Sequence, residues 1–200
     1  TNIGIRDTKA PRFSAMSIEP LRYHTKVSGA KKRKIKRPVI RGGIYYFGTV
    51  EVEGPFGLSA DISDGADDVL NIYATYKIQL FEGDNLLFEA RADSFSYSQT
   101  RMVKIDRVYE LLNQTRKGYQ KLYRSDGNSL PFYTVGSDLK ALNPTEGTHE
   151  YRILAFDYNG NQSEARIKIK FQKASPEKNP HGLRVFQEDR IQLSQPWDID

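Results

Sequence analysis

Cysteine is absent from the 200 residues, which excludes disulfide stapling and thiolate metal sites. A chain of this length buries enough surface to fold without staples. Histidine occurs three times, as His24, His149 and His181, and none stands in an H-x-H or H-E-x-x-H arrangement. A zinc centre needs about three protein ligands with supporting partners, so we place these residues at the surface or at strand edges. There is no G-x-S-x-G and no P-loop. The sequence therefore offers no catalytic residue, no cofactor-binding residue and no metal site of its own. No apolar run approaches the roughly 18 residues that cross a bilayer as a helix, and no transmembrane segment is expected.

What is present favours strands. Twelve Tyr and ten Phe supply flat rings that pack well on pleated, half-buried surfaces. The clearest unit is EYRILAFD (150–157), YNGN (158–161) and QSEARIKIKF (162–171). Tyr151, Ile153 and Ala155 alternate with Arg152, Leu154 and Phe156. Ala165, Ile167, Ile169 and Phe171 alternate with Arg166, Lys168 and Lys170. That is the period-2 pattern of a hairpin with one buried face, and Asp157, Asn159, Gly160 and Asn161 suit the turn between its arms.

Further strands are expected over 13–21, with Phe13, Ala15 and one of Met16 or Ile18 inward, and over 44–54. A hairpin follows over 72–92, turning at EGDN, then a short strand over 94–99. YQKLYR and LPFYTV complete the sheets. Residues 105–118 break the pattern. Ile105, Val108, Leu111 and Leu112 fall at helical spacing, with Asp106 to cap and Gly118 to terminate. Residues 172–183 read as a loop and 184–193 as the start of another strand. The fold class is all-β: an immunoglobulin-like sandwich with a short helical insertion, spanning 13–172. Thr1 opens the chain without a methionine, so we expect a piece of a longer protein. Residues 1–12 would link it to a preceding domain, and 173–200 would form a C-terminal extension or a further β element.

The net charge of +5 has one source. KKRKIKR carries six positive charges, Lys31, Lys32, Arg33, Lys34, Lys36 and Arg37. Without them 24 basic residues face 25 acidic ones, from totals of 30 and 25. The run reads as a solvated loop, with contact to an anionic surface as its functional alternative. No aromatic is interleaved within 31–37 to stack bases, so no nucleic-acid partner is expected. Two loops have the oxygen chemistry of calcium sites: DISDGADD, with Asp61, Asp64, Asp67 and Asp68, and DYNGNQSE, with Asp157, Asn159, Asn161 and Glu164. The first lacks the spacing of a calcium loop, the second comes closer to its alternate-residue pattern, and a hairpin turn stabilised by its own side chains is the plainer reading of the second.

Taken in order, DTKAPRFSAMSIEPL, IYATYKIQLFEGDNLLFEARADSFSY, SQTRMVKIDRVYE, GNSLPFYT and GTHEYRILAFDYNGNQS resemble a known domain. It is the immunoglobulin-like domain that follows the catalytic domain in lysostaphin/LytM-type zinc metallopeptidases, the peptidoglycan endopeptidases of the bacterial envelope. The most specific pieces are Thr100-Arg101 with Ile105-Asp106, and Asp157, Gly160, Asn161 and Ser163. The resemblance covers roughly residues 7–171, and IGIRD (3–7) is similar to the strand on which such catalytic domains end. The family's zinc motifs, H-x(n)-D and H-x-H, are not in this chain and would lie before Thr1. The basic run departs from the family pattern. The resemblance implies a non-catalytic accessory domain in the cell envelope or periplasm, with zinc expected only in the parent's catalytic domain. It also implies a preceding peptidase domain, and peptidoglycan or an envelope protein, as partners. The alternative is a stand-alone sugar- or protein-binding module of a surface or secretion system.

Overall fold

The computed structural model describes residues 7–67 and 71–174. In chain order the strands are β1 (Arg12–Pro20), β2 (Lys26–Val27), β3 (Lys34–Lys36), β4 (Val39–Arg41), β5 (Ile44–Glu53), β6 (Phe56–Ser63), β7 (Lys77–Glu82) and β8 (Asn85–Arg91). A 3-10 turn (Tyr97–Met102) and helices α1 (Val103–Asp106) and α2 (Tyr109–Thr115) come next. The chain then returns to β9 (Gln120–Lys121), β10 (Tyr133–Val135), β11 (Gly147–Phe156) and β12 (Gln162–Gln172). They form two sheets. The smaller has the order β3-β1-β6-β9, and the larger β10-β8-β7-β11-β12-β5-β2, with β4 also paired to β5. The architecture is an all-β sandwich with a short helical insertion.

The core lies between the sheets. Met16, Ile18, Phe56 and Leu58 of the smaller sheet meet Leu80, Phe88, Tyr151, Ile153, Ile169 and Phe171 of the larger. On β11 the inward set is as read, with Tyr151, Ile153 and Ala155 fully buried, but Leu154 of the opposite set is buried as well. Strand β1 follows a different rule. A bulge at Ser14 shifts its pairing with β6 between Phe13 and Ala15, so Phe13, Met16 and Ile18 all reach the core. Its other face is buried too, because Ala15 packs with Val108, Leu111 and Tyr119 beneath the helical insertion. Ser17, Glu19 and Ser59 are buried on the sheet that this insertion covers.

Several expectations are corrected. The segment 94–99 is not a strand. Gln99 folds back so that its side-chain oxygen accepts the Ser96 N–H at 2.9 Å, which starts a 3-10 turn. The single helix over 105–118 is two pieces, broken at Arg107, which is extended and bridges to Gln120. Asp106 ends α1 and caps nothing, and left-handed Arg116, with φ of 60°, closes α2 before Gly118 is reached. In the 72–92 segment the first arm begins only at Lys77, because Tyr73 is bridged to Asp64. The acidic loop expected from Asp61 starts later, since β6 runs to Ser63.

The basic run is a loop only in part. Lys34–Lys36 form β3, an edge strand with Met16 opposite Lys36 and Ile18 opposite Lys34. Directly opposed residues share a face, so both lysines point to the core side of the sheet at its open margin. Charges placed there keep a sheet edge from pairing with another chain. The expected strand at 184–193 lies outside the described residues, as does the C-terminal extension beyond residue 174.

Candidate functional site

Two loops that look unrelated in sequence meet at one end of the sandwich. Asp64 lies just past β6 and Asp157 just past β11, and the lead-in to β1 brings Asp7 beside them. The three residues offer oxygens that all lie within 4.8 Å of one another. Each calcium-like stretch contributes one member. Asp67 instead accepts from Thr8 Oγ1 at 2.8 Å, Glu164 pairs with Arg166 at 2.6 Å and Asp61 faces Lys117 at 3.7 Å. Asp68 lies outside the described residues. Three carboxylates at this separation have the donor chemistry of a hard divalent cation.

Amide donors already hold the cluster. Asp157, only 2 % exposed, accepts from the backbone N–H of Asn161 at 2.8 Å and from its side-chain amide at 2.6 Å. Gly160, at φ of 92°, makes that return possible. Asp64 accepts the Gly65 N–H at 3.0 Å. Asp7 accepts the Lys9 N–H at 3.1 Å and the Asn159 amide at 3.4 Å. Burial raises the Asp64 pKa above its ordinary value, and Asp157 and Asp7 push it the same way, against the Gly65 hydrogen bond.

A carboxyl group with a raised folded pKa favours the fold most when protonated. Its contribution grows as pH falls through that pKa and is lost above it. Asp64→Asn is therefore expected to raise the melting temperature at pH 7 by up to about 3 °C, the scale of an interaction of about 1 kcal/mol at this size. The gain should shrink in scans at acidic pH. A lower melting temperature at pH 7 would mean that attraction, not repulsion, governs the carboxylate.

A second polar cluster lies beneath the helical insertion. Glu19, 7 % exposed, accepts from Ser59 Oγ at 2.7 Å. Burial raises its pKa, outweighing Ser59, Arg33 and Lys121. Asp106, 2 % exposed, accepts from the Tyr133 hydroxyl at 2.7 Å and sits 3.6 Å from Arg107 Nε. Asn128 donates to the same hydroxyl at 2.6 Å. Asp106, which the family resemblance singles out, is thus a latch that ties the insertion to β10. Thr100 Oγ1 donates to the Tyr97 carbonyl within the 3-10 turn at 2.6 Å.

The six residues of the basic run divide. Lys31, Lys32, Lys34 and Arg37 are exposed, and Lys31 stands 4.2 Å from the centre of the Tyr23 ring. Lys36 is half-buried. Arg33 turns under the insertion, its guanidinium 2.6 Å from Glu110 of α2 and close enough to Glu19 to lower that group's pKa. Arg33→Ala should then cost about 1–3 kcal/mol, by leaving buried Glu19 without one of the two cations that favour its charged form. Replacing Lys31, Lys32 and Lys34 with Gln should change stability by less than about 0.5 kcal/mol. The triple variant should also elute from an anionic matrix at lower salt, since exposed charges are screened. Equal melting of Arg33→Ala and the parent in denaturant titrations would place Arg33 with the solvated lysines.

Among the described residues, His24 and His149 do not converge. His149 uses both ring nitrogens, one toward Glu82 and one toward the Thr145 carbonyl at 2.8 Å. His24 lies beside Gly54, with its ring 3.3 Å from where a Cβ would stand. His181 is outside the described residues. Glu19, Arg33 and the meeting of Asp7 with Asp64 and Asp157 have no local sequence signal. Compared with known proteins, the chain matches no family model, no curated protein and no solved structure.

Proposed function

We propose that the chain is a non-catalytic, immunoglobulin-like accessory module of a peptidoglycan-directed zinc metallopeptidase of the bacterial envelope. On this reading it sets the direction of the peptidase domain or docks an envelope partner, and zinc belongs to the parent's catalytic domain. The observation that carries the positioning role is the clamp on the lead-in. Asn161 Nδ2 donates to the Asp7 carbonyl at 3.0 Å, Thr8 Oγ1 to Asp67 at 2.8 Å and Lys9 Nζ to the Ala66 carbonyl at 3.0 Å. A segment held at three successive residues cannot swivel freely, so the clamp fixes the point at which the chain leaves the sandwich toward a domain joined ahead of it.

The strand arrangement supports the immunoglobulin-like part. β7, β11 and β12 lie side by side on one sheet and β1, β6 and β9 on the other, as C, F, G and A, B, E do in that sandwich. The test is a pair of substitutions in the longer protein, Thr8→Ala with Asn161→Ala, which removes two of the three clamp donors. Cleavage of polymeric peptidoglycan should fall severalfold while cleavage of a short soluble peptide is unchanged. Equal loss on both substrates, or no loss on either, contradicts the positioning role.

One observation favours a second reading, a stand-alone sugar- or protein-binding module. Tyr73, Tyr97 and Tyr158 are 45 %, 93 % and 81 % exposed, all on connections, and Tyr158 meets Tyr76 edge-on at 5.2 Å. Exposed tyrosines on loops supply large, amphipathic contact area at low entropic cost. The sequence ahead of Thr1 separates the readings, since H-x(n)-D followed by H-x-H supports the peptidase.

A further inference from the structure

A cavity of about 190 Å³ opens where the helical insertion meets the sheets. It lies beside the segment leading into β7, the end of β8, the insertion and β9. Small side chains make the space: Ala74, Ala90 and Ala92 line it, with Val103 from the insertion. Phe95 and Phe132 also line it and meet edge-to-face at 5.7 Å, and Phe95, 48 % exposed, offers a ring to the outside. One polar feature stands out. Thr75 is 7 % exposed, lines the cavity, and its buried Oγ1 makes no hydrogen bond among the described residues. A buried hydroxyl left unpaired has given up its hydrogen bonds to water without replacement, which is unfavourable.

The charges around the cavity are already matched. Arg107 is paired with Asp106 at 3.6 Å and donates to the Gly118 carbonyl at 3.2 Å and to Gln120 Oε1 at 3.3 Å. Arg91 is paired with Asp93 at 2.7 Å, and the Tyr76 hydroxyl donates to the same carboxylate. Among the described lining residues no unmatched charge remains for an ionic ligand, and burying one there would go uncompensated. An apolar cavity of about 150 Å³ admits benzene, so this volume suits roughly six to eight non-hydrogen atoms.

We propose that this cavity binds a small, uncharged, mainly apolar molecule of phenol size, its ring against Phe132 and Val103 and its one polar atom hydrogen-bonded to Thr75. The site is independent of the positioning role argued above, because none of its residues belongs to the clamp. The test titrates the intact chain with phenol, benzene and benzoate, read by amide NMR shifts and by thermal melting. Phenol should bind saturably, shift the amides of Thr75, Ala90 and Gln120 and raise the melting temperature. Benzoate should bind at least about tenfold more weakly, because its carboxylate is desolvated without a partner.

Thr75→Val keeps the shape of the side chain and removes the orphaned hydroxyl, so the fold should be retained. It should weaken phenol about fivefold, the worth of one net hydrogen bond, and leave benzene unchanged. Val103→Phe should block both ligands by filling the cavity. If that variant is unfolded by circular dichroism, Thr75→Val still decides. No saturable binding of phenol or benzene, tighter binding of benzoate than phenol, or phenol affinity unchanged in Thr75→Val would overturn the proposal.

Discussion

Ile153→Asp is expected to destabilise the chain by about 4 kcal/mol or more, enough to unfold a marginally stable domain at 37 °C. Ile153 is 0 % exposed. It sits mid-strand on β11, with Leu80 of β7 opposite on one side and Ala165 of β12 on the other. An aspartate there would have no cation within its apolar surroundings and would lose the dispersion contacts of the sec-butyl group. The carboxyl would be forced toward the neutral form, so the defect should ease at acidic pH. Denaturant titration of the two proteins checks it. Equal midpoints would show that Ile153 faces solvent and that the register of β11 is one residue off.

Gly136→Ala should be nearly as damaging. Gly136 follows β10 with φ of 66°, and a Cβ on it would lie 2.2 Å from the carbonyl oxygen of Leu87. Left-handed geometry alone costs an alanine on the order of 1 kcal/mol. The contact adds more, because its partner is backbone on β8 and cannot rotate away. The expected loss is at least about 3 kcal/mol, seen as a drop of roughly 6–12 °C in melting temperature. By contrast, Gly160 at φ of 92° has nothing within 4 Å of its would-be Cβ, so an alanine there meets only the backbone penalty. A Gly136→Ala protein that melts within a degree of the parent would refute the close approach of β10 to β8.

What the sequence revealed follows from how far apart the determining residues lie. The β11–β12 hairpin was legible because its ten paired positions run from Gly147 opposite Phe171 to Phe156 opposite Gln162, with Tyr151, Ile153, Ala155, Ala165, Ile167, Ile169 and Phe171 buried on one face. β1 was only half legible. Its inner face showed in Phe13, but the bulge at Ser14 and the covering of Ala15, Ser17 and Glu19 by the insertion depend on residues a hundred positions away. The helix was legible on the face carrying Val108 and Leu111, while its break at Arg107 reflects a tertiary bridge to Gln120. β3 was invisible, since three residues with two lysines resemble solvated loop in any local reading.

The same holds at the candidate site. Each calcium-like loop could be noticed alone, yet only folding joins one residue of each to Asp7. The pattern D-x-x-G-N was legible as a turn, and the structure gives its mechanism: Asn161 returns to Asp157 and also clamps the lead-in. Arg33 shows the opposite failure. Sequence grouped it by charge with four exposed neighbours and half-buried Lys36, whereas its place against Glu110 just ahead of β3 depends on the pairing of β3 with β1.

On the proposed function, this module serves a peptidase without cleaving anything itself. The direct measurement is to incubate purified residues 1–200 with peptidoglycan and zinc and to count new amino termini over time. The account predicts no release above the buffer control, with the chain folded throughout by circular dichroism. Turnover that survives purification to homogeneity would contradict it.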